Sequence, residues 1–388
     1  MTTAAPSPSD QDQSPLIWIN AGEASGDMHG AGLMRAMGAA CPGARFTGMG
    51  GGAMRRAGAD VLHDASEISI MGLPAICSAL PRLLRLLSTL KAELKRLKPA
   101  AVVLIDCPDF NFRLARIAKR LGIPVYYYIS PQVWAWRPGR VEFLRENTRR
   151  VLCILPFEPD FYRSRGMEVD FVGHPLLDEL PLSELDALPV DPDRVAVLPG
   201  SRRREVEDLL PRFALACREL MAFRPSLRFS LVRAPGMDRD FLARFWPADP
   251  PTGLPTDWVE PGERYPAMRR AALALAASGT VALETGLIGT PTIVAYRLAP
   301  LSWFIANRLV KLDFVSLPNL ILNREVFPEL LQQRATPELM AAHARTWLSD
   351  PALAARTREL LAGLRGSLGR HGAPERAAAL ILGDITRH

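Results

Sequence analysis

Ala271-Ala-Leu-Ala-Leu-Ala-Ala277, Ser278-Gly279-Thr280 and Val281-Ala-Leu-Glu284 form the stretch whose reading decides the fold. A short apolar run stops at three small polar residues, and an apolar segment suited to a helix follows at once. That pattern is a buried strand, a tight loop and a helix N-terminus. The first turn of such a helix carries unpaired backbone N–H groups and the positive end of the macrodipole. With no side chain at Gly279, a phosphate can approach those donors closely. Glu284, about one turn further on, is placed to accept hydrogen bonds from hydroxyls such as those of a ribose. The same residues also suit an ordinary helix capped by Ser278 or Thr280, and the rest of the chain bears on the choice.

A chain of 388 residues favours two or three domains, each able to bury its own core. Apolar content of 48% with mixed charge is ordinary for a globular protein. No apolar run reaches the length of a membrane span, and the N-terminus lacks a signal peptide's layout, so a cytoplasmic, soluble or peripheral protein is expected. Cys41, Cys77, Cys107, Cys153 and Cys217 are scattered and odd in number, without a C-x-x-C pair. That argues against a disulfide framework and a zinc site, and they read as small core residues. A net charge of +6 and a pI near 9.3 favour an anionic partner: nucleotide, phospholipid surface or nucleic acid.

The same strand, small-residue turn and helix recur along the chain. Residues 1–14 are expected as a disordered leader. Leu16–Asn20 is a first strand, followed by Gly22-Glu23-Ala-Ser25-Gly26-Asp27 and a helix from about Met28 to Met37. Glu23 and Asp27 also suit N-terminal capping of that helix. Arg45–Gly52 is a second strand with a glycine-rich loop. Between Ile70 and Leu97, leucines recur at three- and four-residue spacing with arginines off that line, as in a helix covering a sheet. The apolar Ile70–Cys77 before it could instead dip into a membrane. Pro99–Ile105 is a continuous apolar strand ending in Asp106-Cys-Pro-Asp109-Phe-Asn111, and carboxyl ends of strands are where open α/β sheets hold ligands. Ser130-Pro-Gln-Val-Trp134-Ala-Trp136-Arg137 follows another strand. The half closes near Gly173-His174-Pro175, and Leu176 to Asp193, with its D-x-D at Asp191 and Asp193, reads as a linker. The second half starts with strand Arg194–Leu198 and Pro199-Gly200-Ser201-Arg202-Arg-Arg, whose guanidinium groups can grip a diphosphate. Trp303 and Phe304, with Arg308 and Lys311, suit a membrane interface or a core helix. Strands and helices alternate throughout, which is the pattern of parallel α/β domains.

Five ordered motifs resemble the lipid-A-disaccharide synthase family: Ala-Gly-Glu23-Ala-Ser-Gly-Asp27, Asp106-x-Pro-Asp-Phe-Asn111, Ser130-Pro-Gln-Val-Trp-Ala-Trp136-Arg, Leu-Pro-Gly-Ser-Arg202-x-x-Glu-Val and Val-Ser-Leu-Pro-Asn319-Leu. The resemblance runs from about Leu16 to the C-terminal helices; one departure is Gly52, where the family usually has proline. It implies a GT-B fold, two Rossmann-like domains facing across a cleft, with residues 15–178 binding the acceptor and 190–345 the UDP-sugar. Helices in 346–388 would pack back. The implied reaction joins UDP-2,3-diacylglucosamine to 2,3-diacylglucosamine 1-phosphate, forms the β(1→6) tetraacyl disaccharide 1-phosphate and releases UDP. Asp106 matches the family's essential aspartate and would be the general base. Glu23, Ser25 and Asp27 would line the acceptor side. Arg202, Ser278, Gly279 and Thr280 would hold the diphosphate, Glu284 the ribose, and Asn319 matches a residue needed near the donor. The UDP-sugar is a substrate, and neither a metal nor another cofactor is implied. The resemblance further implies attachment to the cytoplasmic face of the inner membrane, allows a homodimer, and implies no nucleic-acid partner. A different GT-B enzyme of UDP-sugars, such as an epimerase, is the nearest alternative. A nicotinamide oxidoreductase would need G-x-G-x-x-G where Gly22-Glu-Ala-Ser-Gly26 stands.

Overall fold

The computed structural model describes residues 14–69, 76–247, 253–298, 303, 308 and 312–386. The expected leader up to residue 13, residues 70–75 with the side chains of Ile76 and Cys77, and Phe304 lie outside the described residues. The chain folds as two compact units. One runs to Pro175 and takes in the chain from Arg370 onward, and the other is Leu176–Gly369.

The first unit is built on seven parallel strands: β1 (Leu16–Ala21), β2 (Arg45–Gly50), β3 (Asp60–Asp64), β4 (Ala101–Ile105), β5 (Val125–Tyr128), β6 (Arg150–Cys153) and β7 (Asp170–Phe171). Their order is β3-β2-β1-β4-β5-β6-β7. The chain winds outward from β1 one way and from β4 the other. The crevice at the carboxyl ends of β1 and β4 is therefore a topological switch point, the usual ligand position in such sheets. β4 is buried along its whole length, as its unbroken apolar run requires. The helices used below are α1 (Ala24–Ala40), α2 (Gly52–Arg56), α3 (Ile76–Leu97), α4 (Pro108–Arg120), α5 (Val133–Trp136) and α6 (Glu158–Arg163).

α1 starts at Ala24, four residues earlier than expected. Its small residues serve packing rather than a turn. A Cβ on Gly30 would stand 2.9 Å from the Met54 sulfur and 3.3 Å from Ile105 Cδ1, so glycine lets the helix lie close on β4. α3 covers the sheet: Leu87, Leu90 and Leu94 are buried with Trp18, Val102 and Leu114, while Arg82, Arg85, Lys91 and Arg96 stay exposed.

The second unit holds six parallel strands, β8 (Asp191–Leu198), β9 (Arg228–Val232), β10 (Thr256–Val259), β11 (Ala271–Ala277), β12 (Thr292–Tyr296) and β13 (Glu329–Leu331), in the order β10-β9-β8-β11-β12-β13. Its switch point lies between β8 and β11. Its helices used below are α7 (Arg203–Phe223), α8 (Arg264–Arg270), α9 (Thr280–Ile288), α10 (Leu317–Leu322), α11 (Pro337–Ser349) and α12 (Pro351–Ser367), and α13 (Ala373–Ile385) belongs to the first unit.

The structure redraws two boundaries. Much of the expected linker is folded: Leu176, Leu177, Leu182 and Leu185 are buried in two short helices. Arg365 grips the Asp186 carboxylate at 2.6 and 2.8 Å, and Asp191 already opens β8. The residues from 346 onward do not form one group. α11 and α12 stay with the second unit, whereas α13 packs on α1. There Asp384 accepts from Arg150 at 2.7 and 3.1 Å and from Arg149 at 3.2 Å. The short edge strands β3 and β13 carry no apolar run and were not visible in the sequence pattern. Among the described residues no helix is long and apolar enough to cross a membrane.

Candidate functional site

Most of the sequence-expected residues lie near the two switch points, one in each unit, and Asn319 lies apart from them beside β13. In the first unit, Glu23 is the N-cap residue of α1, two residues after β1 ends, and Ser25 lies in that helix's first turn. Asp106 follows β4. Asp106, Glu23 and Asp109 are the charges that act on the Cys107 thiol. Burial first, and then those carboxylates, push that thiol up to about 12. The three carboxylates are thus electrostatic neighbours, and Cys107 stays a thiol at neutral pH instead of becoming a nucleophile. Asp109 pairs with Arg140 at 2.6 Å and Arg137 at 3.7 Å. The Arg137 guanidinium lies 3.9 Å from the centre of the Trp136 ring. Beside them Glu158 anchors α5: its carboxylate accepts from the Trp134 indole at 3.2 Å and from the backbone N–H of Ile154 and Leu155 at 3.1 and 2.9 Å.

The turn presenting Asp106 is strained. Asp106 and Cys107 have φ of +47° and +46°, two consecutive non-glycine residues in the left-handed region. Each costs about 1–2 kcal/mol for an L-residue. Asn111 and Tyr127 hydrogen-bond the backbone of this turn.

Asp27 does something the sequence did not reveal. Its buried carboxylate accepts from the backbone N–H groups of Gly51 (2.7 Å) and Met54 (3.1 Å) on one oxygen and Ala53 (2.8 Å) on the other. It therefore caps α2 and holds the glycine loop after β2. The Gly52 N–H is outside that set, and Gly52 is the first helical residue, where proline is well tolerated. Glycine in place of proline leaves the loop's anchoring unchanged.

In the second unit, β8 ends at Leu198 and the turn after it holds Gly200, whose φ is +106° and whose would-be Cβ lies 2.7 Å from Glu205 Oε2. Glycine is favoured there by the positive φ. Arg202 follows, its side chain 63% exposed and 3.2 Å from Glu205. β11 ends at Ala277, Ser278 donates its N–H to Ala295 O at 2.9 Å, and α9 begins at Thr280 with Gly279 as its N-cap residue. No described atom comes within 4 Å of a Cβ built on Gly279, so the backbone there is open to a ligand. Glu284, 8% exposed, accepts from the Tyr265 hydroxyl at 3.4 Å, and Arg264 donates to that hydroxyl and lies over the Tyr265 ring. The helix N-terminus, the Gly200 turn with Arg202, and Glu284 thus share one end of the sheet.

Asn319 is fully buried, and its carboxamide is used up. It donates to Phe327 O and Glu329 Oε1, both at 2.8 Å, and accepts from the N–H groups of Val326 (2.8 Å) and Phe327 (2.9 Å). With both donors and both lone pairs engaged, Asn319 shapes the loop before β13. The D-x-D carboxylates are also committed: Asp191 lies 3.5 Å from Arg194 and Asp193 2.6 Å from Arg224. Among the described residues no three His, Cys, Asp or Glu side chains gather so as to hold a metal ion.

A family model described as lipid-A-disaccharide synthetase matches residues 17–374. The chain is 43% identical over 377 residues to a lipid-A-disaccharide synthase of Syntrophus aciditrophicus (strain SB), covering 95% of this chain and 97% of that protein. It is 40% identical over 379 residues to one of Myxococcus xanthus (strain DK1622), with the same coverage. Among solved structures it resembles a UDP-GlcNAc 2-epimerase from Neisseria meningitidis bound to UDP-GlcNAc (TM-score 0.65, 13% identity, covering 96% of this chain and 100% of that one). It also resembles the glycotransferase of kitacinnamycin (TM-score 0.64, 19% identity, 96% and 99%). At such identities the likeness is one of fold, which is GT-B.

Proposed function

The chain belongs to the lipid-A-disaccharide synthase family, glycosyltransferases of lipid A biosynthesis, and from that premise we infer how its residues divide the reaction. UDP-2,3-diacylglucosamine is the donor and 2,3-diacylglucosamine 1-phosphate the acceptor. The acceptor's 6-hydroxyl oxygen attacks the anomeric carbon in line, the bond to UDP breaks, and the configuration inverts to a β(1→6) linkage. The hydroxyl proton passes to the Asp106 carboxylate. Glu23 and Ser25 line the acceptor, and Asp27 serves it indirectly through the Gly51–Met54 loop. Arg202 and the α9 N-terminus at Ser278, Gly279 and Thr280 meet the charge that grows on the leaving UDP. Glu284 accepts from the ribose hydroxyls, and Asn319 acts by shaping the loop beside the donor.

The observation that carries this division is that carboxylates stand at the switch point of one sheet, while an open helix N-terminus and an arginine stand at that of the other. The basic pI favours an anionic membrane surface. Peripheral attachment to the cytoplasmic face of the inner membrane, weakening at high salt, and a homodimer belong to the same proposal.

The test is product analysis after mixing the protein with both substrates. A tetraacyl disaccharide 1-phosphate and equimolar UDP are expected. Epimerised donor formed without acceptor would point to the other GT-B chemistry. Arg202→Ala should lower kcat/KM by about 10²–10³-fold, and an unchanged rate would remove Arg202 from the donor site.

A further inference from the structure

The strained turn at Asp106 is held by donors that reach its backbone carbonyls. Asn111 Nδ2 donates to Ile105 O at 3.1 Å and to Asp106 O at 2.7 Å, and the Tyr127 hydroxyl donates to the same Asp106 O at 2.7 Å. Both Asn111 N–H groups are therefore spent on carbonyls, and its Oδ1 must accept. It does so from Asn20 Nδ2 at 2.7 Å, which ties the end of β1 to the turn after β4. Asn20, Asn111 and Tyr127 are fully buried. Burial, with Asp106 as the next cause, holds the Tyr127 hydroxyl well above its ordinary pKa, so it remains a protonated donor. Left-handed backbone at two ordinary residues persists only where the surroundings over-determine it. Here three hydrogen bonds converge on two successive carbonyls, and none of them touches the side chain that would do the chemistry.

We propose that Tyr127 and Asn111 are positioning residues for Asp106, holding the 105–107 backbone so that the carboxylate meets the acceptor's hydroxyl. This rests on the reading of Asp106 as the general base.

Tyr127→Phe keeps the ring, which packs edge-on against Phe112 at 6.0 Å, and removes only the O–H. The variant should lower kcat about tenfold, leave KM for the UDP-sugar within about twofold, and melt close to the parent. In an Asp106→Asn background, followed with radiolabelled donor, Tyr127→Phe should cause no further loss, because the group it positions is gone. An unchanged kcat in Tyr127→Phe overturns the proposal. So does an equal loss in both backgrounds, which would show an effect that does not pass through Asp106. Full turnover by Asp106→Asn alone overturns the base assignment itself, and the positioning role with it.

Discussion

Asp27→Asn separates a carboxylate that carries a loop from one that contacts substrate. One Asp27 oxygen accepts two backbone N–H groups, from Gly51 and Met54, and the other accepts that of Ala53. Asparagine can keep the first pair with its oxygen, but its NH₂ then faces the Ala53 N–H, donor against donor. The loss is one charge-assisted bond, about 1.5–3 kcal/mol, and a weakening of the other two by about 0.5–1 kcal/mol each. The sum is about 2.5–5 kcal/mol, which for a unit of this size lowers its melting temperature by roughly 5–20 °C. Circular dichroism gives the melt, and hydrogen exchange should show lost protection at Ala53 and Met54. Gly52→Pro is the internal control: the Gly52 N–H is not among Asp27's donors, and proline suits the first helical position. That variant should melt at or slightly above the parent. If Asp27→Asn melted like the parent while turnover collapsed, the carboxylate would be a substrate contact and the loop-anchoring account would be wrong.

Two further outcomes follow from buried polar groups. Burial pushes Glu158 up to about 7, against the backbone and Trp134 hydrogen bonds that pull it down. The folded state therefore binds this proton more tightly than the unfolded one. Stability from this group is full below the unfolded value near 4.5 and falls by about 3 kcal/mol as pH rises towards 7. Urea midpoints should show the parent losing ground to Glu158→Gln between pH 5 and pH 8, and a gap independent of pH would refute this. Asn319→Asp puts an oxygen against the Glu329 carboxylate in place of a donor, at a cost of about 3–5 kcal/mol. Its melting temperature should drop along with UDP affinity. An unaltered melt with lost activity would instead make Asn319 a direct donor contact.

Much of the architecture was legible because it rests on local patterns. The Pro99–Ile105 and Ala271–Ala277 runs read as doubly covered strands, and the polar residues after them marked the turns at the strands' carboxyl ends. The placement of Glu23, Asp106, Arg202 and Ser278–Thr280 at strand ends followed from the same logic. What escaped is non-local. Asp27 meets backbone 24–27 residues away, and the Asp384 carboxylate that docks α13 finds its arginines some 234 residues earlier. No window of sequence contains such a pair.

The harder case is a polar residue at a strand end, where the sequence cannot say whether it faces a ligand or the backbone. Asp27 and Asn319 look like site residues, yet Asp27 anchors a loop through three backbone N–H groups and Asn319 is fully engaged in shaping another, while Asn111 and Tyr127 look like helix and core residues and grip the turn at Asp106. One signal was available: an asparagine among buried apolar neighbours must have its amide satisfied, so Asn319 in Leu317–Leu322 and Asn111, between Phe110 and Phe112, had to find partners. The left-handed pair Asp106–Cys107 gave only a weak warning, since aspartate visits that region more often than most residues but cysteine does not. That conformation is imposed by the surrounding donors, which is why it became visible only once those donors were in place.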